Sequence, residues 1–580
     1  MKFIIFLIIL YPLLFIWQGL DFTDIGFSLT NYQQIFNDPQ SVNYGFDAWL
    51  TNVIGGVWIT LFGDSLGLLG ANLAGIIAIY LTIGFTYLTL KTYIDRTQLL
   101  IGLLLVSIFP KYFLFVLNYD SLTFLFFSAS AFFLINGLKF AKNWQILASG
   151  LILGLNIFNR FPNILGFSLI LGIFFYGYIN KNTTILQIKQ VICFISGYVL
   201  AILIAIFTMK ILGHYEIFTN SISALMNMAS DRTGHHGIIN LLLKYINNYL
   251  QIIAYPCIVI LFAIAVTKFF SLFKRWYLYY GFMIIISIML IIIASLGLFH
   301  IYNRISLMIA GFLYMILLGY IINVEKSSHD FRLISFVALL ILIITPLGSG
   351  NGLNNAVYGM WIPIPIAFAY IFRLKKMSVE IETENDLSAT QWKISLNYKE
   401  TKLSVNFFVT LFVVISLVMS FACTYRDSSN RIEIHYSVKH PRLMGIFTIQ
   451  ERAKVAQELL SEVGKYVKED DYLLAYNDIP MVHFLTKTKP YLYNSWIELY
   501  QPNELRQALE RAMKENPHLP VVIKAKSSAA NSNWPKTNVS FSLSERKIED
   551  IAIIDDFIKY NKYSIVWEND FFEILIPLSK

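Results

Sequence analysis

Cysteine is nearly absent: Cys193, Cys257 and Cys423 are the three in a chain of 580 residues. The first two lie inside apolar runs and the third closes one, which excludes a disulfide framework and a cysteine-based zinc site. Charge is scarce as well. Asp, Glu, Lys and Arg make up 14% of the residues, against roughly 25% in an ordinary soluble domain, so a wholly soluble fold is excluded. The polar C-terminal region has no Gly-rich phosphate loop, no nucleophile elbow and no metal-ligand spacing, which removes the common nucleotide-binding and hydrolase signatures.

What the chain has in quantity is apolar surface, 56% of its residues. It comes in repeated runs long enough to cross a hydrocarbon core of about 30 Å. The runs are continuous rather than alternating, which favours helices over a closed β-barrel. The expected fold class is therefore a polytopic α-helical membrane protein with a C-terminal soluble α/β domain. About thirteen spans are expected, at 3–18, 66–90, 97–116, 121–138, 145–160, 163–179, 190–212, 250–268, 277–298, 303–322, 331–347, 356–372 and 405–423. The stretch "MKFIIFLIILYPLLFIW" lacks a small-residue cleavage site and reads as a retained first helix.

The net charge of +8 does not point to nucleic acid. The Lys and Arg residues sit in short loops between the runs, as the positive-inside rule requires. With the N-terminus inside, the inner loops carry Lys91 and Arg96, Lys139 and Lys142, Lys181 and Lys189, Lys268, Lys274 and Arg275, Lys326 and Arg332, and Arg373, Lys375 and Lys376. The outer loops carry "DFTDIGF", "FVLNYD", "NRFPN", "DRTGHHG", "LFHIYNR" and "GSGNGLNN".

The expected organisation follows. Residues 1–373 form the transmembrane module, with a first outer loop at 19–65 and a second at 213–249. Residues 374–404 are an inner linker, 405–423 the last span, and 424–580 an outer α/β domain. In the first loop, Trp49 and Trp58 read as interfacial anchors on amphipathic pieces. In the tail, "FTIQERAKVAQELLSEVGKYV" and "QPNELRQALERAMKE" read as helices, the second capped by Asn503. "DYLLAY" and "LPVVIKA" read as strands, and "YSIVWE" and "FFEILIP" as a strand pair.

Ionisable groups at the membrane rim are costly unless paired or hydrated, so each is a functional candidate. The outer face collects Asp21, Asp24, Asp120, Arg160, Arg232, His235, His236, His300 and Arg304. Asp24 reads either as a general base or as a helix cap. Asp21 reads as a helper to it, and Asp120 as a cavity acid or a cap. Arg160, Arg304, Arg232 and His236 are candidate phosphate ligands, because a guanidinium binds phosphate through two parallel hydrogen bonds. If a divalent metal ion is used, Asp24, Asp120 and His235 are its candidate ligands.

The layout resembles the GT-C superfamily of integral-membrane glycosyltransferases. It is closest to the protein O-mannosyltransferases and the lipid A aminoarabinose transferases of bacteria. The residues that carry the resemblance are "DFTDIGF" after the first helix, "NYDSLTFLF" before the fourth, "GLILGLNIFNRFPN" in the fifth, and "YLLAYNDIPMVHFLTKTKPYLYN" in the tail. Protein mannosyltransferases have adjacent Asp and Glu in the first loop, whereas Phe22 and Thr23 separate the two acids here. Asp24 is preferred as the match because it leads directly into "IGF".

The resemblance implies a GT-C fold and a polyprenyl-phosphate-linked sugar as donor. It also implies a lipid, glycan or protein acceptor, and inverting attack on the outer face of a bacterial inner membrane. An O-antigen polymerase or ligase and a lipid or glycan transporter are the competing readings. The topology makes a direct prediction: a single cysteine placed in the 424–580 tail of a cysteine-free chain should react with a membrane-impermeant maleimide on intact cells. Reaction only after lysis would place the tail inside.

Overall fold

The structure is a computed structural model. It describes residues 1–109, 116–230, 238–272, 300–322, 327–374, 379–383, 392–396, 424–428, 430–516, 518–531, 534–535 and 545–578, with isolated positions in 281–289 and 402–417. The predicted spans at 277–298 and 405–423 fall largely outside the described residues.

Four described helical segments are long and apolar enough to cross a membrane: Pro39–Leu90, Tyr119–Lys139, Phe161–Asn180 and Thr184–Ile211. The helices Gly352–Gly359 and Pro363–Arg373 are together long and apolar enough, but 79° separates them, the geometry of either a broken span or a re-entrant loop. Lys2–Leu13, Arg96–Ile108 and Ser306–Ile322 are shorter apolar helices. Most of the predicted spans therefore coincide with helices, although several helices are shorter than a bilayer is thick.

The second half of the first loop is continuous with the helix that follows it: one helix runs Trp49–Leu90, broken at Gly67. Trp49 is buried, and its indole Nε1 donates to His214 Nδ1 at 3.1 Å. Trp58 is half-buried and donates to the Gly70 carbonyl at 2.9 Å. Trp49 is thus tied to a distant chain segment, and Trp58 bridges the break in its own helix. The break at Gly67 has φ +49°, and a Cβ there would lie 2.2 Å from the Arg442 carbonyl oxygen. Glycine thus serves twice, allowing the bend and the approach of the tail.

The tail is an α/β domain, as expected. Its five-stranded sheet has the spatial order Lys489–Pro490, Tyr472–Tyr476, Val521–Ala525, Phe572–Pro577 and Tyr563–Glu568. The first three are parallel, and Phe572–Pro577 runs antiparallel to both of its neighbours. Helices Gln450–Val463 and Pro502–Glu515 form where the helical spacing placed them. The cap of the second is Gln501 rather than Asn503. Its side chain and that of Glu504 satisfy each other's backbone N–H groups across Pro502. In the 374–404 linker, Val379–Thr383 pairs antiparallel with Trp392–Leu396.

The tail and the first loop share one apolar core. Leu20, Phe22, Ile25 and Leu29 pack in the same cluster as Ile446, Leu459, Met481 and Trp534. Main-chain hydrogen bonds reinforce this: Gly19 N donates to Phe447 O, Phe447 N to Trp17 O, and Met481 N to Phe22 O. At Gly26 an added Cβ would sit 2.2 Å from the Met481 nitrogen.

Inside this contact lies a fully buried ion pair, Arg452 Nη1 to Asp427 Oδ1 at 3.6 Å. Arg452 also donates to the carbonyls of Leu20 (2.7 Å), Arg426 (2.6 Å) and Trp534 (2.9 Å). Asp427 accepts from Leu20 N at 2.7 Å and Thr448 Oγ1 at 2.8 Å. Removing one partner strands the other charge without water, so Arg452→Leu should lose about 3–5 kcal/mol of stability. Asp427→Leu/Arg452→Leu should lose less than the two single losses added together. Thermal and denaturant unfolding of the purified full chain would measure both.

Candidate active site

A cavity of about 1620 Å³ opens between one end of the helical bundle, the first loop and the tail. Its acids are Asp24, Asp47, Asp120 and Glu504, and its cations are Arg160, Lys244, Arg426 and Arg511. Three residues singled out in the sequence, Asp24, Asp120 and Arg160, meet here. They come from the first loop, the start of helix Tyr119–Lys139, and the turn before Phe161–Ile170. The segment "GSGNGLNN" forms another wall through Gly348, Ser349 and Asn351.

The two acids of "DFTDIGF" divide the work between them. Asp21 is fully buried and caps the helix Asp24–Gln34 from outside. Its Oδ1 accepts from Thr23 N (2.9 Å) and Thr23 Oγ1 (2.6 Å), and its Oδ2 from Ile25 N (3.0 Å). The capping role considered for Asp24 thus falls to Asp21, and Asp24 is left facing the cavity. Its Oδ2 receives the Tyr425 hydroxyl and lies 3.2 Å from Arg426 Nη1. Arg426 Nη1 also donates to Thr23 Oγ1.

Burial pushes the Asp24 carboxyl above its ordinary value, and the negative charges of Asp21 and Asp478 add to this. Arg426 and the Tyr425 hydrogen bond oppose it. Even so, a third of the Asp24 side-chain surface is open to the cavity, so a substrate can reach it.

Asp120 is likewise relieved of capping. Asn118 caps that helix, accepting from Ser121 N at 2.8 Å while Ser121 Oγ takes the Asn118 N–H at 2.9 Å. Asp120 lies in the first turn, and its Oδ1 has no hydrogen-bond partner among the described residues. Arg160 lies within electrostatic reach of both Asp47 and Asp120. Two of its N–H groups donate to Thr345 O (3.2 Å) and Leu347 O (3.3 Å), at the C-terminal end of helix His329–Ile344. A cation is favourable there, because the carbonyls at a helix end have no partner of their own.

The other sequence candidates stand differently. His300 and Arg304 open helix His300–Ile322, and their side chains lie outside the described residues. Arg232, His235 and His236 lie outside the described residues altogether. Among the described residues no group of three or more His, Cys, Asp or Glu side chains converges. Asp24 is already engaged by a guanidinium and a phenol. The described residues therefore do not form a metal cage.

Known proteins offer little to set beside this geometry. No family model matches the chain. No curated protein matches it either. Among solved structures the chain is similar to the Archaeoglobus fulgidus oligosaccharyltransferase, in a crystal structure with an acceptor peptide containing the NVT sequon tethered through a disulfide bond. The two are 12% identical with a TM-score of 0.42, over 87% of this chain and 65% of that one.

Sequence reasoning missed Asp47, Lys244, Tyr425, Arg426 and Trp496. Tyr425 and Arg426 could have been found. "TYRD" follows the last predicted span, at the rim where the other candidates were sought. Lys244 carried no such signal, standing alone in "LLLKYINNYL".

The geometry predicts a titration. Arg426→Gln removes the strongest influence holding the Asp24 carboxyl down, so its pKa should climb further and the ionised fraction at a given pH should fall. The pH dependence of the Asp24 carboxyl ¹³C shift, assigned with Asp24→Asn, would measure this. An unchanged midpoint would contradict the pairing.

Proposed function

We propose that this protein is a membrane glycosyltransferase with a GT-C fold. It transfers a sugar from a polyprenyl-phosphate donor to a lipid, glycan or protein acceptor on the extracytoplasmic face. The observation that carries this reading is the single cavity in which a reachable carboxylate, Asp24, shares walls with Asp120, Arg160 and Lys244 at the ends of apolar helices. The packing of the tail on the first loop supports placing both on one side of the membrane.

In this reading the acceptor O–H or N–H hands its proton to Asp24, whose raised pKa suits a general base. The acceptor atom forms a bond to the anomeric carbon as the bond from that carbon to the phosphate oxygen breaks. Configuration inverts, because attack comes from the side opposite the leaving group. The polyprenyl phosphate departs with its electron pair and needs positive charge more than a proton. Arg160, Lys244 and Arg426 line the cavity to supply it. A lipid-linked donor fits a membrane site, since it arrives through the bilayer and leaves its phosphate at the rim.

Asp24→Asn should lower transfer by roughly 10²–10⁴-fold while thermal unfolding stays near wild type. Arg160→Ala should weaken photo-crosslinking of a polyprenyl-phosphate probe more than it weakens acceptor binding. Full transfer by Asp24→Asn would remove the base assignment.

A further inference from the structure

Arg426 is held unusually firmly for a long, flexible side chain. Its backbone lies in the left-handed region at φ +47°, a costly place for a residue with a Cβ, and one that persists only where the surroundings fix it. Arg452 supplies that constraint by donating to the Arg426 carbonyl at 2.6 Å. The guanidinium then lies 5.4 Å from the centroid of the Tyr425 ring and 5.4 Å from that of Trp496.

Trp496 belongs to the C-terminal domain, and it too is fixed. Its Nε1 donates to Asp478 Oδ1 at 2.9 Å and its backbone N–H to Asn494 Oδ1 at 2.9 Å. Its ring leans on Phe27 of the first loop, at 6.2 Å. Asp478 follows the end of strand Tyr472–Tyr476 in a pair of left-handed residues, Asn477 at φ +73° and Asp478 at φ +69°. Both N–H groups donate to Glu498 Oε1, and Asp478 Oδ2 accepts from Ser528 Oγ. The carboxyl ends of parallel strands are where open α/β sheets present functional groups.

We propose that Trp496, anchored by Asp478, is a positioning residue that sets the Arg426 guanidinium against Asp24, so that the C-terminal domain completes the active centre. The inference rests on the reading of Asp24 as the base. A guanidinium over an aromatic face is attracted by the ring's negative quadrupole, and the stack confines Arg426 to the rotamer that reaches Asp24 Oδ2. Without it, the guanidinium is free to turn into the cavity, whose wall it already forms. The role differs from simple packing, because it needs a π face rather than apolar volume.

The test therefore compares Trp496→Leu, which fills space without a π face, with Trp496→Phe, which keeps one. In the full-length ¹⁵N-arginine-labelled protein in nanodiscs, the Nε–H signal of Arg426, assigned by its loss in Arg426→Lys, should be sharp in the wild type. It should survive with some broadening in Trp496→Phe, which keeps the π face but loses the N–H bond to Asp478, and vanish in Trp496→Leu. An unchanged signal in Trp496→Leu would overturn the proposal.

A second arm uses polyprenyl-phosphate-glucose as the donor probe. Trp496→Leu should lower its turnover roughly tenfold in the wild-type background and not at all in Arg426→Gln. Equal losses in both backgrounds would overturn the proposal. A wild-type protein that leaves this donor untouched would exclude glucose as the transferred sugar, and the arginine signal would still decide the role of Trp496.

Discussion

The buried pair of Arg452 and Asp427 is the constraint on which the arrangement around the cavity depends. Neither side chain reaches water. Each therefore has to be satisfied by the protein, and the partners they find are the backbone groups of Leu20, Arg426, Asp427 and Trp534. These backbone atoms belong to three segments far apart in sequence. A buried ion pair adds little net stability compared with well-packed apolar side chains, but it tolerates few alternative geometries. Here it fixes the register of the first loop against the tail, and with it the backbone of Arg426.

The two acids of the first loop illustrate how environment separates identical residue types. Asp21 is enclosed by N–H and O–H donors and spends its charge on starting a helix. Asp24, three residues on, begins that helix and points the other way, into an acid- and cation-lined cavity. The same division recurs at the next acid: Asn118 takes the cap and Asp120 is freed. In both places a neighbour satisfies the helix end, so the carboxylate can be placed for another purpose.

Much of the architecture was legible in the chain. Runs of apolar residues can only be buried in lipid or protein, so the helices fell near their expected places. Alternation in "YSIVWE" and "FFEILIP" and helical spacing in "QPNELRQALERAMKE" are local patterns, and the tail followed them. The convergence of Asp24, Asp120 and Arg160 was also legible, because the charge bias of the loops placed all three at one end of the bundle. What failed was the assignment of roles that depend on a distant partner. Trp49 looked like an interfacial anchor until His214 was found beside it. Asn503 looked like a cap, but the pairing of Gln501 with Glu504 across Pro502 satisfies that helix start.

The sequence by itself therefore determined the helical class of fold, the α/β tail and the group of charges at one end of the bundle, since each follows from local composition and periodicity. Which acid faces the cavity, which arginine meets it, and that a tryptophan from the tail lies over that arginine were decided only by the tertiary structure. These contacts join positions hundreds of residues apart, such as Asp24 and Arg426. Their energies depend on burial and on the direction in which each side chain leaves its backbone, and no local pattern encodes either.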